Sequence, residues 1–312
     1  IIMAKLQNVL VSYDGSPHSK EALHWAIYFG RHSGANITAV KVFEPFLTRP
    51  LKEAGSILPD SLDQYEQLEK QDQQLMAEAK ALGREHGLKI TTEILKGKVA
   101  ESILNYAKQH AMDMIITGNR GHGALKQLLV GSVTRHLVSL SPVPVLVVKC
   151  CPLVEFQGGS LIMATLRKIL VAYDGSAHSK ECLDWAIEMA RPVNAQITAL
   201  KVRESAEMAL AYGMAESGSA ARMMAKIKEI EEADTAMMEG VKNVGRNLGV
   251  EITTQVLEGN ASQVLMEYSQ KHGFDLIVAG ARGHGIIDRL PIGTVAHNLI
   301  SVSTVPVLVV KI

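Results

Sequence analysis

At 312 residues the chain is long enough for two domains of about 150 residues each. Its 47% hydrophobic and 21% charged content exclude a disordered chain, and 32 basic against 32 acidic residues leave a formal net charge of zero, which excludes a global field drawing it to nucleic acid or an anionic membrane. Apolar runs such as 143–148 and 305–310 fall far short of the roughly 20 residues that span a bilayer.

The amino-terminal Ile1-Ile2-Met3-Ala4-Lys5 lacks the long apolar stretch of a signal peptide. Three cysteines, Cys150, Cys151 and Cys182, have no metal-type spacing and do not suggest a disulfide-stapled secreted fold. A soluble, cytoplasmic protein is expected.

The elements alternate. Residues 8–13 (NVLVSY) are a short apolar run ended by Asp14-Gly15-Ser16, which suits a buried parallel strand. Ser16-Pro17 opens a helix, with Leu23, Ala26, Ile27 and Gly30 on one face. Strand 36–42 follows, then a polar, solvated helix over 60–86 closing at Gly87. A strand over 89–95, a helix marked by Ala100, Ile103, Leu104 and Ala107, a strand over 113–117, a helix over 132–140 and a strand over 143–148 complete the series. Alternation with short connections predicts an α/β, doubly wound parallel sheet with helices on both faces.

The series then repeats. Aligned without a gap, 9–42 and 169–202 share 21 of 34 positions. Further on, 87–97 matches 249–259, TGNRGHG (117–123) matches AGARGHG (279–285), and SPVPVLVVK (141–149) matches STVPVLVVK (303–311). The chain reads as a tandem duplication, with domains at 1–149 and 166–312. The stretch 150–165, holding Pro152 and Gly158-Gly159-Ser160, reads as the linker.

After the fourth strand, Gly118-Asn119-Arg120-Gly121 is followed nine residues on by Gly131-Ser132. The second copy has Gly280-Ala281-Arg282-Gly283 and Gly293-Thr294. Glycines at a strand end can aim amide N–H groups at an anion, and the first turn of the following helix can add its own. Arg120, Lys126, Arg282 and Arg289 bring positive charge. The pattern suits a phosphate cradle made mostly of backbone; the same glycines would equally serve a loop that needs only tight packing.

The spacing G-x2-G-x9-G-[S/T], the Asp ending the first strand and the terminal PVLVV strand resemble the universal stress protein family, in its ATP-binding branch. The resemblance covers both copies apart from the linker and 43–86 and 203–245. It implies two tandem five-stranded sheets of order 3-2-1-4-5, with the first and fourth strands flanking the point where strand order reverses. Ligands of doubly wound sheets sit there. It further implies ATP or another adenine nucleotide, with magnesium, as ligand. Asp14 and Val42, and Asp174 and Val202, would hold adenine and ribose. Gly118, Gly121, Gly131 and Ser132, and Gly280, Gly283, Gly293 and Thr294, would hold ribose and phosphates, beside Arg120 and Arg282. The hydroxyl two residues past the glycine–hydroxyl pair is Thr134 in the first copy but Ala296 in the second, so weaker phosphate binding is expected there. The terminal strands of the family pair antiparallel across a two-fold axis; here 143–148 would pair with 305–310 as an intramolecular pseudo-dimer, with further homo-oligomers open.

Other residues admit plainer roles. Asp14 and Asp174 could act as general bases, but a turn-forming, ligand-orienting Asp is the simpler reading. His122, His284, His18 and His178 could touch phosphate or stand solvated in loops. Cys150-Cys151 cannot readily chelate one metal together. Met208, Met214, Met223, Met224, Met237 and Met238 suit either an adaptable binding face or packing. No P-loop, G-x-S-x-G elbow or H-E-x-x-H motif occurs. The expected function is a nucleotide-responsive stress or signalling module with an unidentified protein partner. The alternatives are a slow magnesium-dependent ATPase or phosphotransferase, and an adaptor with vestigial sites.

Overall fold

The computed structural model describes residues 6–44, 59–121, 130–149, 154–157, 160–163, 166–203, 220–283 and 292–312. The chain divides into two compact units, Leu6–Ala164 and Thr165–Ile312. Sequence expectations at Lys126, Arg289, His122, His284, Cys150, Cys151, Met208 and Met214 lie outside the described residues, as does the side chain of Met223.

In the first unit the strands are β1 (Asn8–Ser12), β2 (Asn36–Phe43), β3 (Ile90–Lys96), β4 (Met114–Gly118) and β5 (Val145–Val148). The helices are α1 (Pro17–Ser33), α2 (Pro59–Glu85), α3 (Val99–Gln109) and α4 (Ser132–Leu140). β1 pairs in parallel with β2 from Asn8↔Asn36 and with β4 from Val9↔Met114. β2 pairs with β3, and β4 with β5, also in parallel. The order is therefore 3-2-1-4-5, and the reversal falls between β1 and β4, as expected. Val9, Leu10 and Val11 are fully buried, as are Met114, Ile115 and Ile116. That two-faced burial is why these strands read as unbroken apolar runs.

The second unit repeats the plan with β8 (Lys168–Ala172), α5 (Ala177–Ala190), β9 (Gln196–Arg203), α6 (Ala220–Leu248), β10 (Ile252–Glu258), α7 (Ala261–His272), β11 (Leu276–Gly280), α8 (Thr294–Val302) and β12 (Val307–Val310). Its parallel order is β10-β9-β8-β11-β12. The first helix ends through a left-handed residue in each copy: Gly34 at φ 73° in the first, and Asn194 at φ 53°, after a 3-10 turn, in the second. Asn is among the few side chains that tolerate this conformation.

The expected linker holds an element of its own. Val154–Gln157 (β6) and Ser160–Met163 (β7) pair antiparallel, from Val154↔Met163 to Gln157↔Ser160. Two short runs around Gly158-Gly159 are a hairpin signal, which the loop reading of 150–165 missed. The last strand of the first unit begins at Val145 rather than 143, after Pro144, which has no amide proton to give to a ladder. Among the described residues no helix is long and apolar enough to cross a membrane.

Candidate functional site

Each site begins where the first strand of its unit runs out. The Asp14 carboxylate accepts a hydrogen bond from the Ser16 amide through Oδ1 at 3.0 Å, a turn closed by its own side chain. Ser16 in turn caps α1, its Oγ accepting from the Ser19 amide at 3.3 Å, while the Ser19 hydroxyl donates to the Ser16 carbonyl at 3.0 Å. Gly15 sits between them at φ +80°, and a Cβ there would come within 2.6 Å of Leu75 on α2. The second unit builds the same turn, with Ser176 N to Asp174 Oδ1 at 3.0 Å, Gly175 at φ +85°, and Met237 of α6 in the place of Leu75.

The glycine loop closes on this turn. Gly118, at the end of β4, lies under the first turn of α1, where a Cβ would meet His18 Cβ at 2.7 Å and its carbonyl carbon at 2.8 Å. The Asn119 amide donates to the Val148 carbonyl at 2.8 Å, and the Gly131 amide donates back to the Asn119 carbonyl at 2.9 Å, which ties the two ends of the loop together. A Cβ on Gly121 would stand 2.5 Å from Asp14 Oδ2. A Cβ on Gly283 would likewise stand 2.7 Å from Asp174 Oδ2. Strand-one Asp and strand-four Gly, 107 and 109 residues apart in sequence, thus face each other at the reversal point.

Gly131 and Gly293 are the N-caps of α4 and α8 and make no side-chain capping bond. Having no side chain, they leave capping of those turns to another acceptor. Ser132 and Thr294, the first helical residues, are exposed. Neither N-cap has positive φ, and among the described residues a Cβ on Gly131 would meet nothing closer than 3.4 Å and one on Gly293 nothing closer than 3.3 Å. These two glycines keep the backbone approachable rather than relieve strain. Arg120 is half-buried, with its Nε buried and without a hydrogen-bond partner among the described residues, whereas Arg282 is exposed. Val42 is buried and Val202 half-buried at the carboxyl ends of β2 and β9, on the same edge as the Asp turns.

Thr134, expected among the ligand-binding residues, is engaged within the fold. It is 3% exposed, and its hydroxyl donates to the Gly118 carbonyl at 2.8 Å. That bond fastens α4 to the end of β4 in this structure. Ala296, 1% exposed, fills the same place in the second unit without that bond. The difference between the copies is one of loop anchoring.

Two lysines went unnoticed in the sequence. Lys149 directly follows β5 and is buried; burial, and then the neighbouring Arg120, lower its pKa to about 8. Burial and Arg282 bring Lys311, after β12, to about 8 as well. The signal was the Lys that ends both VPVLVVK segments. His18 is shifted down by burial, Arg120 and Lys149, against the opposing pull of Asp14.

The sequence profile of the universal stress protein family matches residues 5–149 and again 165–311. The chain belongs to the universal stress protein family. It is similar along nearly its whole length to a universal stress protein of Mycolicibacterium smegmatis, 26% identical over 309 residues, covering 97% of this chain and 96% of that one. A single-domain relative, the stress response protein NhaX of Bacillus subtilis, is 33% identical over 168 residues, which is 47% of this chain and 100% of that protein. Among solved structures, a universal stress protein from Archaeoglobus fulgidus aligns with a TM-score of 0.68 at 20% identity, over 98% of this chain and 97% of that one. This likeness shows a shared fold. The universal stress protein domain therefore occurs twice here, each copy with its own Asp turn and glycine loop.

Proposed function

We propose that each unit of this universal stress protein binds an adenine nucleotide, ATP foremost, and that occupancy controls a stress or signalling role exercised through a partner protein. The observation that carries this reading is the contact of Asp14 with Gly121, repeated by Asp174 and Gly283. A carboxylate able to accept from ribose hydroxyls stands against a loop whose missing side chain leaves room for a ligand. The uncapped first turns of α4 and α8 lie at the far end of that loop, where an anion satisfies helix amides. Val42 and Val202 offer apolar contact for a base. Among the described residues no group of three or more His, Cys, Asp or Glu could hold a metal. Magnesium would thus be held mainly by the phosphates and water, a common arrangement for this ion, and would neutralise their charge.

Binding rather than turnover is the reading that Asp14 favours. Its Oδ1 is engaged by the Ser16 amide, which fixes the carboxylate as a turn and positioning group. Calorimetric titration with ATP, AMP and GTP tests the proposal. Two adenine nucleotides per chain and weaker binding of GTP are expected; no heat and no thermal stabilisation with any adenine nucleotide would refute it.

A further inference from the structure

Met237, in the middle of α6, lays its sulfur against the turn that follows β8. A Cβ on Gly175 would stand 2.7 Å from Met237 Sδ and 3.8 Å from its Cγ. Gly175 is the central residue of that turn, at φ +85°, and the Ser176 amide closes it by donating to Asp174 Oδ1 at 3.0 Å. Met237 is half-buried, so solvent reaches the side chain while its sulfur packs on the turn. The helix itself is pinned. Asp234, one turn earlier, is buried and held by Lys201 Nζ at 2.8 Å and Arg203 Nε at 2.7 Å, and Met238 and Val241 lie in the core. An atom added to the sulfur is therefore accommodated by the side chain or by the glycine turn, not by retreat of α6. The first unit has no such sulfur. Leu75 of α2 takes the same place, also half-buried, 2.6 Å from where a Cβ on Gly15 would stand, and a hydrocarbon offers no lone pair to an oxidant. The adjoining core position is Met in both helices, Met76 and Met238, so the difference is confined to the residue that touches the turn.

We infer that Met237 is a site of reversible oxidation, taking one oxygen atom from a small hydroperoxide, and that its sulfoxide loosens the Asp174 turn and weakens the second nucleotide site alone. The effect on ligand rests on the nucleotide reading; the oxidation and the loosened turn do not. A sulfur lone pair attacks the outer oxygen of the peroxide, and the S–O bond forms as the O–O bond breaks. The leaving hydroxide takes the proton of the transferred oxygen and departs as water. Sulfur is oxidised by two electrons and the peroxide is reduced by two. The flexible apolar thioether becomes a larger, polar and chiral group. Pressed on Gly175, the new oxygen overpacks the contact. Turned to water, it carries the sulfur away and leaves the glycine without its apolar backing. Both outcomes move the turn that aims Asp174. Methionine sulfoxide reductases, one for each epimer, restore the thioether.

The test treats the full chain with hydrogen peroxide and follows each methionine by peptide mass spectrometry. Met224, 72% exposed on the same helix, marks a freely accessible sulfur and buried Met238 a protected one. Met237 should oxidise after Met224 and before Met238. In the oxidised chain, hydrogen exchange at the Ser176 amide should quicken and that at the Ser16 amide should not. A Gly121→Leu chain, in which the new side chain collides with Asp14, leaves the second site to be read alone. There ATP affinity should fall about tenfold on oxidation, the size expected of an overpacked contact, and return with the two reductases and a thiol. Met237→Leu, which copies Leu75, should resist peroxide in both readouts, whereas Met224→Leu should not. Leu75→Met should transfer the sensitivity to the Ser16 amide and the first site. Fully oxidised Met237 with unchanged exchange at Ser176, oxidation of Met238 ahead of Met237, or sensitivity surviving in Met237→Leu overturns the inference. A chain that binds no nucleotide before treatment overturns the nucleotide reading instead, and exchange at the Ser176 amide still judges the oxidation site.

Discussion

The Asp14 carboxylate lies against the α-carbon of Gly121 so closely that a methyl group there would stand 2.5 Å from Oδ2. No real Cβ contact is that short, and the Asp cannot swing away cheaply because its other oxygen holds the Ser16 amide. Gly121→Ala should therefore displace the turn or the loop, costing about 1–3 kcal/mol of stability in the manner of local overpacking. It should also weaken nucleotide binding in the first unit more than tenfold. Titration of this variant should give one site per chain in place of two, and Gly283→Ala should give the complementary result.

Thr134 yields a prediction of a different kind. Thr134→Ala removes the shorter of two hydroxyl bonds to the buried Gly118 carbonyl, leaving Thr117 Oγ1 at 3.3 Å, at a cost of about 0.5–1.5 kcal/mol, and loosens the start of α4. Hydrogen exchange at the Asn119 and Gly131 amides, which are tied into the same loop, should quicken in this variant. Nucleotide affinity in the first unit should fall only a few-fold, towards that of the second. Ala296→Thr should slow exchange at the Ala281 and Gly293 amides; unchanged exchange in both variants would refute the anchoring role.

Much of the architecture was legible because buried parallel strands leave apolar runs that no loop imitates, and because every run occurs twice. The glycine spacing located the loops but not their partners. That the Thr134 hydroxyl reaches the Gly118 carbonyl is decided by the direction in which α4 leaves the strand, and spacing does not encode that direction. Leu75 reaches Gly15 from a long helix whose polar sequence suggested only a solvated face, whereas Met237, which meets Gly175, belongs to the methionines read as a binding face or packing. Lys149 was passed over because a lysine after a strand ordinarily reaches water, whereas this one is 7% exposed. The β6–β7 hairpin was missed because Pro152 and the Gly158-Gly159 pair six residues later read as a linker first.

The two units anchor their long helices with unequal charge. Asp234 on α6 accepts from Lys201 Nζ at 2.8 Å and from Arg203 Nε at 2.7 Å, and Arg203 also faces Glu231 and Glu258 at 3.8 and 3.5 Å. In the first unit Phe43 stands where Arg203 would be, and Asp72 has Lys41 at 3.8 Å. The same carboxylate is thus shifted in opposite directions. Burial raises Asp72 more than Lys41 lowers it, while the hydrogen bonds from Lys201 and Arg203 overcome burial and hold Asp234 below the usual range. A depressed carboxyl contributes stability that is present above its unfolded pKa and lost as pH falls through the folded one. Acidification below about pH 4 should release α6 of this anchor, whereas Asp72, shifted upward, gives α2 no such loss. Arg203→Phe should raise the Asp234 pKa, read by carboxyl carbon resonance, and Asp234→Asn should destabilise the second unit by about 3 kcal/mol by leaving two cations poorly paired.

Ligand linkage separates a binding module from an enzyme. At a hundredfold excess over its dissociation constant, ATP should stabilise each unit by about 2.7 kcal/mol, and Gly121→Ala should abolish that gain in the first unit alone. Hydrolysis should run well below about 1 per second, the lower end of ordinary turnover, because the Asp14 carboxylate at the proposed nucleotide site is held by the Ser16 amide. Release of phosphate, followed by a coupled assay at saturating ATP and magnesium, measures this directly. If turnover reached several per second and vanished in Asp14→Asn and Asp174→Asn together, the carboxylates would be acting as bases, and the sites would have to be read as catalytic. If nucleotide binding vanished as well, the Asp residues would be positioning groups for the ligand, as their turn geometry implies.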